Sequence, residues 1–217
     1  MGGHPRRGRG DAAPVSCRLN QKSLDLYVRH ARRGRVVVFD TETTGLTRLD
    51  EIVQIAAAEY VDGARTRTLN LFLLPSCPIS PAAEAVHHIT RAFLEEHGLP
   101  PREALKRFFE FVGADALVVG HNVRFDLGML ARECQAYGFP ATPGNLTCCD
   151  TVALARRFVP GLPHYRLGTL IEALELAGTN SHDALDDTLA CGELFFNLID
   201  RVPMAANDYV YEPLFDF

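Results

Sequence analysis

The order of apolar and polar positions predicts a set of short strands before it indicates any chemistry. The run Arg35–Asp40 is too short for a helix and is apolar on both faces, which predicts a central strand. Residues 51–61 and 64–74 are two further apolar-rich runs, and the Asp-Gly pair between them predicts a β-hairpin. Ala116–Val119 is a fourth predicted strand, and the two cysteines at 148–149 lie in or near another.

Apolar residues at helical spacing predict the remaining elements. The expected helices are Ser23–Arg33, Pro81–His88, Thr90–His97, Pro101–Val112, Val123–Tyr137, Asp150–Phe158, Leu167–Ala177 and Asp183–Ile199. Thr90 and Asp150 are expected N-caps, and Asn122 has the residue type for the same position before its helix. Three strands in a meander, then helices, a strand and mostly helices again predict a mixed α/β sheet covered on its faces.

The two ends of the chain differ from its body. Residues 1–18 are rich in Gly, Pro and Arg and have almost nothing to bury, which predicts a flexible arm. We therefore expect a basic N-terminal extension with a short helix over 1–34, one domain over 35–202 and a tail over 203–217. Residues 1–35 hold nine basic and two acidic side chains, whereas residues 36–217 hold thirteen basic and twenty-five acidic ones.

Composition narrows the classes of protein. Hydrophobic residues make up 47% of the 217 and charged residues 23%, which excludes a mostly disordered chain, a collagen-like repeat and a coiled coil. No apolar run approaches the ~18–20 residues of a membrane helix, and no secretory signal is recognisable at the N-terminus. The six cysteines form no CxxC pair, so we expect reduced thiols in a cytoplasmic protein that does not contact membranes.

Carboxylates gather at strand and helix ends in three separate segments. In FDTETTGL, Asp40 and Glu42 are two residues apart and share one face of an extended strand. In VVGHNVRFDLGML, Asp126 falls near the first turn of the helix that follows a strand. In NSHDALDDTLA, His182 precedes a helix whose start carries Asp183, Asp186 and Asp187.

Each acid also has an ordinary structural explanation. A strand-end pair can point into solvent, and acidic residues in a first helical turn stabilise the helix dipole. Three such segments together, one of them with a His, favour a metal site instead. Oxygen ligands without cysteine suit Mg²⁺ or Mn²⁺ better than Zn²⁺, and an acidic body then no longer argues against a nucleic-acid partner.

FDTETTGL, HNVRFDLGML and HDALDDTLA resemble the three motifs of the DEDDh, or DnaQ-like, 3′→5′ exonucleases. Proofreading members of this family include the epsilon subunit of bacterial DNA polymerase III. The segments DEIVQIAA, VHHIT and DTVALARRF also match, so the resemblance runs from about Arg35 to about Ile199. It implies an RNase H-like fold, a mixed β-sheet flanked by α-helices, in agreement with the predicted elements.

The resemblance also implies catalytic roles. The matching residues are Asp40, Glu42, Asp126, His182 and Asp187. The four acids would hold two Mg²⁺ or Mn²⁺ ions, Asp40 bridging both. Glu42 and Asp187 would complete the ion that activates water, and Asp126 would hold the second. His182 would be the general base.

Other positions match the family's substrate contacts. They are Thr43, Thr44, Leu46, Ile89, Asn122 and Phe125. Leu46 would be an apolar wedge or stacking surface against the 3′-terminal nucleotide, and Ile89 would line the pocket for the terminal base. Asn122 and Phe125 would lie beside the scissile phosphate and terminal sugar. The alternative for Leu46, Ile89 and Phe125 is packing in the core.

The chain departs from the family pattern at two places. His88 stands where many relatives have Gly, which changes the substrate groove and leaves the sugar and base preference open. Asp186 adds an acid beside the matching ligand, and the family spacing H-x-A-L-x-D selects Asp187 in its place.

The implied activity is that of a metal-dependent 3′→5′ exonuclease that releases nucleoside 5′-monophosphates from a single-stranded or frayed 3′ end of DNA, in proofreading or DNA processing. Trimming of RNA is the alternative within this class. A non-catalytic nucleic-acid-binding relative would lack a motif acid, and none is missing. A phosphatase acting on small nucleotides would share the acids.

Partners are suggested at the two ends of the chain. A DNA polymerase or a sliding clamp is the expected protein partner, and the C-terminal PLFDF resembles peptides that dock on clamps. Docking on the chain's own body, or disorder, is the favoured explanation for this tail. The basic N-terminal arm would add attraction to phosphates or would be a plain extension.

Overall fold

A computed structural model describes residues 19–203 and contains a five-stranded sheet. The strands are β1 Arg35–Thr43, β2 Ile52–Val61, β3 Ala64–Phe72, β4 Leu117–Gly120 and β5 Cys148–Asp150. Their order in the sheet is β3-β2-β1-β4-β5. β1, β2 and β3 are antiparallel neighbours, whereas β4 and β5 run parallel to β1, so the sheet is mixed as predicted.

Eight helices surround this sheet within the described residues. They are α1 Gln21–Arg33, α2 Pro81–His87, α3 Arg91–His97, α4 Pro101–Val112, α5 Arg124–Ala136, α6 Thr151–Phe158, α7 Leu167–Ala173 and α8 Ala184–Asp200. A single 3₁₀ turn, Pro143–Asn145, precedes β5. Thr90 and Asp150 cap α3 and α6 through their side chains, as their residue types predicted.

Strand β1 is buried on both faces because helices cover both sides of the sheet. Val36 and Val38 belong to the core that includes α1, α6, α7 and α8, whereas Val37 and Phe39 belong to the core under α4 and α5. This explains the apolar run in the sequence. The alternation continues beyond the run, so the side chains at 40 and 42 share the α8 face of the strand.

Most element boundaries differ from the predictions by one or two residues, and three features differ by more or in kind. Strand β1 extends three residues past Asp40, because Thr43 still pairs with Ile52 of β2. Helix α7 ends at Ala173 rather than Ala177: Glu175 adopts a φ of 52°, and this left-handed residue turns the chain out of the helix. Asn122 is not an N-cap; it has a φ of 64°, and no side chain caps α5.

Helix α1 packs on the body of the protein. Leu24, Tyr27 and Ala31 are buried in the α8-side core, and the Tyr27 hydroxyl donates a hydrogen bond of 3.0 Å to the Cys148 carbonyl. The N-terminal arm over 1–18 and the tail from 204 onward lie outside the described residues, so the predicted domain boundaries stay predictions.

Two expectations about composition can be compared with residues 19–203. No helix in this range combines the length and apolar content needed to cross a bilayer. No disulfide joins the cysteines at 77, 134, 148, 149 and 191.

Candidate active site

Three carboxylates meet where β1 ends beside the start of α8. One oxygen from each of Asp40, Glu42 and Asp187 lies within 4.8 Å of the others. Asp40 and Glu42 reach this point because they are two residues apart on the α8 face of β1. Asp187 reaches it from the first turn of α8. The fold thus joins two motifs that are 145 residues apart in the sequence.

Asp126 approaches the same cluster from α5. The carboxylate is buried, and its Oδ1 accepts a hydrogen bond of 2.6 Å from the hydroxyl of Thr41. Thr41 lies between the two acids of β1 but faces the other side of the strand, so it ties Asp126 to the strand that carries them. The charge of Asp126 raises the pKa of Asp40 and Glu42, but Asp126 is not among the three residues whose oxygens lie within 4.8 Å of one another.

Burial and mutual repulsion raise the pKa of the clustered acids. Burial is the main cause for Asp40, whose pKa lies well above its usual range, and the charges of Asp126 and Glu42 add to it. Burial and then the charge of Asp187 raise the pKa of Glu42 to about 8. Burial raises the pKa of Asp126 to about 7 although the hydrogen bond from Thr41 favours its ionised form.

The start of α8 is fixed against the sheet by a buried glutamine. Gln54 of β2 donates to Asp183 Oδ2 at 3.1 Å and accepts from the Ala184 N–H at 3.2 Å. Asp183 in turn caps α8 by accepting from the N–H groups of Leu185 and Asp186. Asp183 therefore has the ordinary structural role of a helix N-cap. By fixing the start of α8, Gln54 also determines where Asp187 lies in the site.

The loop 177–183 carries His182 beside this cluster. His182 is exposed and has a φ of 59°. Burial raises the pKa of Asp187, and hydrogen bonds from Asn180 and the Ser181 N–H oppose that increase, as does the charge of His182. His182 thus lies near Asp187, at the rim of the carboxylate cluster, where water and a substrate can reach it.

The loop 44–51 joins β1 to β2 and closes on itself. The Thr44 hydroxyl donates to Asp50 Oδ1 at 2.9 Å and accepts from the Glu51 N–H at 3.0 Å. The Asp50 carboxylate also accepts from the Thr47 N–H at 2.6 Å. A Cβ at Gly45 would lie 2.8 Å from Asp50 Oδ1, so glycine permits this close approach.

This loop presents Leu46 to solvent. Leu46 is 85% exposed, and Leu49 of the same loop is 86% exposed. Leu46 therefore does not pack in the core, and the alternative explanation for this residue is wrong. Thr43 and Thr44, by contrast, are buried, and their side chains shape the loop: the Thr43 hydroxyl donates to the Gly45 carbonyl at 2.7 Å.

Ile89 and Phe125 are packed residues in the structure. Ile89 is 7% exposed and lies with Val53 and Leu94 in a small apolar cluster. Phe125 is half-buried against the core on the α5 side. Both positions agree with core packing, and their contact with substrate stays a prediction. Asn122 is exposed, and its N–H donates to Asp150 Oδ1 at 3.0 Å.

Buried His87 links the loop to the turn that carries Ile89. Its Nδ1 accepts from the Ile89 N–H at 3.0 Å, so its Nε2 carries the proton and donates to the Thr43 carbonyl at 3.2 Å. Burial lowers the pKa of His87 and keeps this neutral form. His88, which follows, has a φ of 60°. A left-handed backbone explains why Gly suits this position.

Sequence reasoning missed the residues that hold the acids in place. Thr41, Gln54 and Asn180 each hydrogen-bond a carboxylate at the site or at its border. The sequence does mark Gln54 as unusual, since it is the polar residue inside the apolar run IVQIAAA. Thr41 and Asn180 had none, because Thr and Asn are common at strand ends and in loops.

Comparisons with known proteins agree with this geometry. Residues 37–195 match the family model RNase_T, described as an exonuclease. The chain is 32% identical over 193 residues to a PolC-type DNA polymerase III from Caldanaerobacter subterraneus subsp. tengcongensis, covering 88% of this chain and 13% of that protein. It is 32% identical over 173 residues to the 3′-5′ exonuclease DinG of Bacillus subtilis, covering 78% of this chain and 18% of that protein.

Solved structures give the same fold. Exonuclease X in complex with 5′ overhanging duplex DNA is 28% identical with a TM-score of 0.59, covering 76% of this chain and 91% of that one. Escherichia coli exonuclease I in complex with a dA16 oligonucleotide is 22% identical with a TM-score of 0.65, covering 76% and 42% of the respective chains. The RNase H-like fold class is thereby confirmed.

The matched region contains the residues of all three motifs, including the four acids and His182. This chain spans less than a fifth of the length of the PolC-type and DinG relatives. Divalent-metal dependence is general among exonucleases of this family. The match over residues 37–195 shows that the chain belongs to the RNase_T exonuclease family.

Proposed function

We propose that this protein is a 3′→5′ exonuclease that releases nucleoside 5′-monophosphates from the 3′ end of DNA, with Asp40, Glu42, Asp126 and Asp187 as its metal ligands. The observation that carries the proposal is the meeting of carboxylates from β1 and α8 within 4.8 Å. Asp126 joins them through its effect on their ionisation. A structural role alone gives no reason to collect four acids that repel one another.

The donor set fits a hard divalent cation. All four proposed ligands are carboxylates, and no cysteine belongs to the described cluster. Mg²⁺ and Mn²⁺ prefer such oxygen ligands. The raised pKa values of Glu42 and Asp126 show that the cluster resists ionisation by itself, and a nearby cation offsets that resistance. We propose two such ions, as the resemblance implies.

When bound, the ions supply a Lewis acid for the attacking water and charge stabilisation for the leaving 3′-oxygen. The protein's own contribution begins with Thr41 and Gln54, which hold the acids of α5 and α8 against the strands. His182, exposed at the rim of the cluster, accepts the proton of the attacking water on a neutral ring nitrogen. The exposed Leu46 contacts the terminal base, and the hydrogen bonds that close its loop fix where that base lies.

DNA is the proposed substrate because of the relatives. The PolC-type polymerases and exonuclease X are named for DNA synthesis or were solved with DNA. The same relatives make a DNA polymerase the proposed protein partner, and a sliding clamp the second candidate. A single-stranded or frayed 3′ end suits the site because the reacting end must reach carboxylates that are buried or half-buried. We place the protein in the cytoplasm, as expected from its sequence.

Degradation of 3′-labelled oligomers tests the proposal. Matched single-stranded DNA, duplex DNA with a mismatched 3′ end and RNA are incubated with the protein in EDTA, Mg²⁺ or Mn²⁺. We expect release of labelled mononucleotide from DNA with metal and none in EDTA. Faster cleavage of RNA than of DNA would show that RNA is the preferred substrate. Release of inorganic phosphate from mononucleotides without oligomer cleavage would indicate a phosphatase, and full activity in EDTA would exclude the metal mechanism.

A further inference from the structure

The loop that carries His182 is fastened to α8 by acidic side chains of that helix. Glu193 accepts hydrogen bonds from the Ala177 N–H at 3.1 Å and the Gly178 N–H at 2.8 Å. Asp186 accepts from the Ser181 hydroxyl at 2.8 Å. Two points of the loop are thus anchored by residues outside the proposed metal site.

The third anchor is a proposed metal ligand. Asp187 Oδ2 accepts from the side-chain amide of Asn180 at 2.6 Å, and Asp187 Oδ1 accepts from the Ser181 N–H at 3.0 Å. Asp187 is buried, so its carboxylate has little access to water to replace these donors. Both hydrogen bonds favour the ionised form of Asp187, which opposes the rise in its pKa caused by burial.

We infer that Asn180 is a positioning residue for metal binding: its amide holds the Asp187 carboxylate in the orientation that ligates the ion, and the same bond fixes the loop that carries His182. The inference deepens the proposed metal-dependent nuclease function and rests on it. A carboxylate that retains one fixed donor still offers lone pairs to a cation, since each carboxylate has about four acceptor positions. Partners of this kind orient ligands in metal sites and typically contribute 10–100-fold to metal affinity or activity.

Asn180 contacts the proposed metal ligand Asp187 and belongs to the loop that carries the proposed base His182. It is two residues before His182 and seven residues before Asp187, and it connects the loop to the helix. Losing its amide frees one oxygen of Asp187 and one side of the loop at the same time. Metal affinity and the placement of the base should therefore weaken together, whereas a loop with a purely structural role would leave metal affinity unchanged.

The test compares Asn180→Ala and Asn180→Leu with Thr179→Ala. Leu has the same branched arrangement of side-chain heavy atoms as Asn, without its hydrogen-bonding groups. Thr179 is exposed on the same loop, and its side chain makes none of the hydrogen bonds described for residues 19–203, so Thr179→Ala is the matched control. Calorimetric titration with Mn²⁺ in the absence of DNA measures metal affinity. The Mg²⁺ concentration that gives half-maximal oligonucleotide cleavage measures the functional consequence, and thermal melting checks the fold.

We expect both Asn180 variants to lose about 10–100-fold in Mn²⁺ affinity and to need correspondingly more Mg²⁺, with Thr179→Ala unchanged. Part of the lost rate should return at high Mg²⁺. Wild-type Mn²⁺ affinity in folded Asn180 variants would overturn the inference. If the wild-type protein cleaves no oligonucleotide, the proposed function fails, and the Mn²⁺ titrations still decide whether Asn180 positions Asp187.

Discussion

Two loops border the carboxylate cluster, and they are held in different ways. The loop 44–51 is closed by hydrogen bonds from Thr44 and Thr47 to the Asp50 carboxylate, and its Glu51 carboxylate also accepts from Ser76 and Tyr137, which lie outside the carboxylate cluster. The loop 177–183 is closed by α8, whose Asp187 is also a proposed metal ligand. The hydrogen bonds that shape the first loop thus involve no proposed metal ligand. The second loop depends on Asp187, the carboxylate that would also bind the ion.

This difference suggests that the two loops have separate roles, one in recognising the substrate and one in placing the general base. A loop held without any proposed metal ligand suits a surface that must recognise the substrate end in one fixed geometry, because preorganised contact groups lose little entropy on binding. A loop that is hydrogen-bonded to a proposed metal ligand suits the proposed general base. His182 is then placed correctly only when the Asp187 carboxylate is in its own place. Substitutions in one loop should therefore have different effects from substitutions in the other.

The largest effect should come from Asp187→Ala, which removes a ligand and the anchor of the second loop together. Cleavage of 3′-labelled single-stranded DNA should fall to background while circular dichroism shows an intact fold. Asp186→Ala removes only the acceptor of the Ser181 hydroxyl and should keep activity within a few-fold of the wild type. Reversed results for the two variants would mean that the ligand is one residue earlier.

The next effect should come from His182→Ala, which removes the base without touching a ligand. Turnover should fall by about 10²–10⁴-fold, the usual contribution of a general base. Mn²⁺ affinity measured by calorimetry should stay near that of the wild type, because the hydrogen bonds of Asp187 to Asn180 and Ser181 remain. Near-normal turnover, or a loss of metal affinity, would contradict the role of His182.

The sequence predicted the clustered carboxylates better than the residues that hold them in place. Asp40 and Glu42 were predictable because strand alternation puts residues two apart on one face, and the motifs identified Asp187. The contacts of Gln54 with Asp183 and Ala184 were not, since they join residues about 130 positions apart that meet only after the sheet and α8 pack.

Element boundaries show the same limit. The pattern over 167–177 continues to look helical past Ala173, yet Glu175 turns left-handed and α7 ends early. The actual length of that helix matters here, because Ala177, which the prediction placed in the helix, instead forms with Gly178 the start of the loop that Glu193 holds. Local periodicity contains no information about such an acceptor on a later helix.

The pH of the solution should act on the metal cluster and spare the first loop. Hydrogen bonds from Thr47 lower the pKa of Asp50, so it stays ionised at neutral pH. In the cluster the pKa of Glu42 is about 8 and that of Asp126 about 7, above the values of unfolded acids. The folded protein therefore holds protons that the unfolded chain releases, and stability falls as pH rises from about 5 to about 8.

We expect this loss in EDTA and not in Mg²⁺, because metal affinity increases with pH as the ligands ionise. Thermal melting at several pH values in the two buffers measures the difference. Glu42→Gln, which cannot ionise, should flatten the pH dependence in EDTA. Equal slopes for Glu42→Gln and the wild type in EDTA would show that the cluster does not carry this effect.

The smallest effect should come from opening the first loop with Asp50→Ala. The substitution removes the acceptor for the Thr44 hydroxyl and the Thr47 N–H. Hydrogen bonds of this kind contribute about 1–2 kcal/mol, so the ratio of closed to open loop should fall about 5–30-fold, and the KM for oligonucleotide should rise by at most that factor. Asp50→Asn keeps an acceptor oxygen and should have a smaller effect.

Mn²⁺ affinity is the decisive control for this variant. No described hydrogen bond joins Asp50 to Asp40, Glu42 or Asp187 within residues 19–203, so Asp50→Ala should bind Mn²⁺ as the wild type does. A rise in KM with unchanged Mn²⁺ affinity would separate the two loops, one shaping the substrate end and one following the metal. A drop in Mn²⁺ affinity comparable to that of the Asn180 variants would show that the loops are coupled and that the first loop also depends on the cluster.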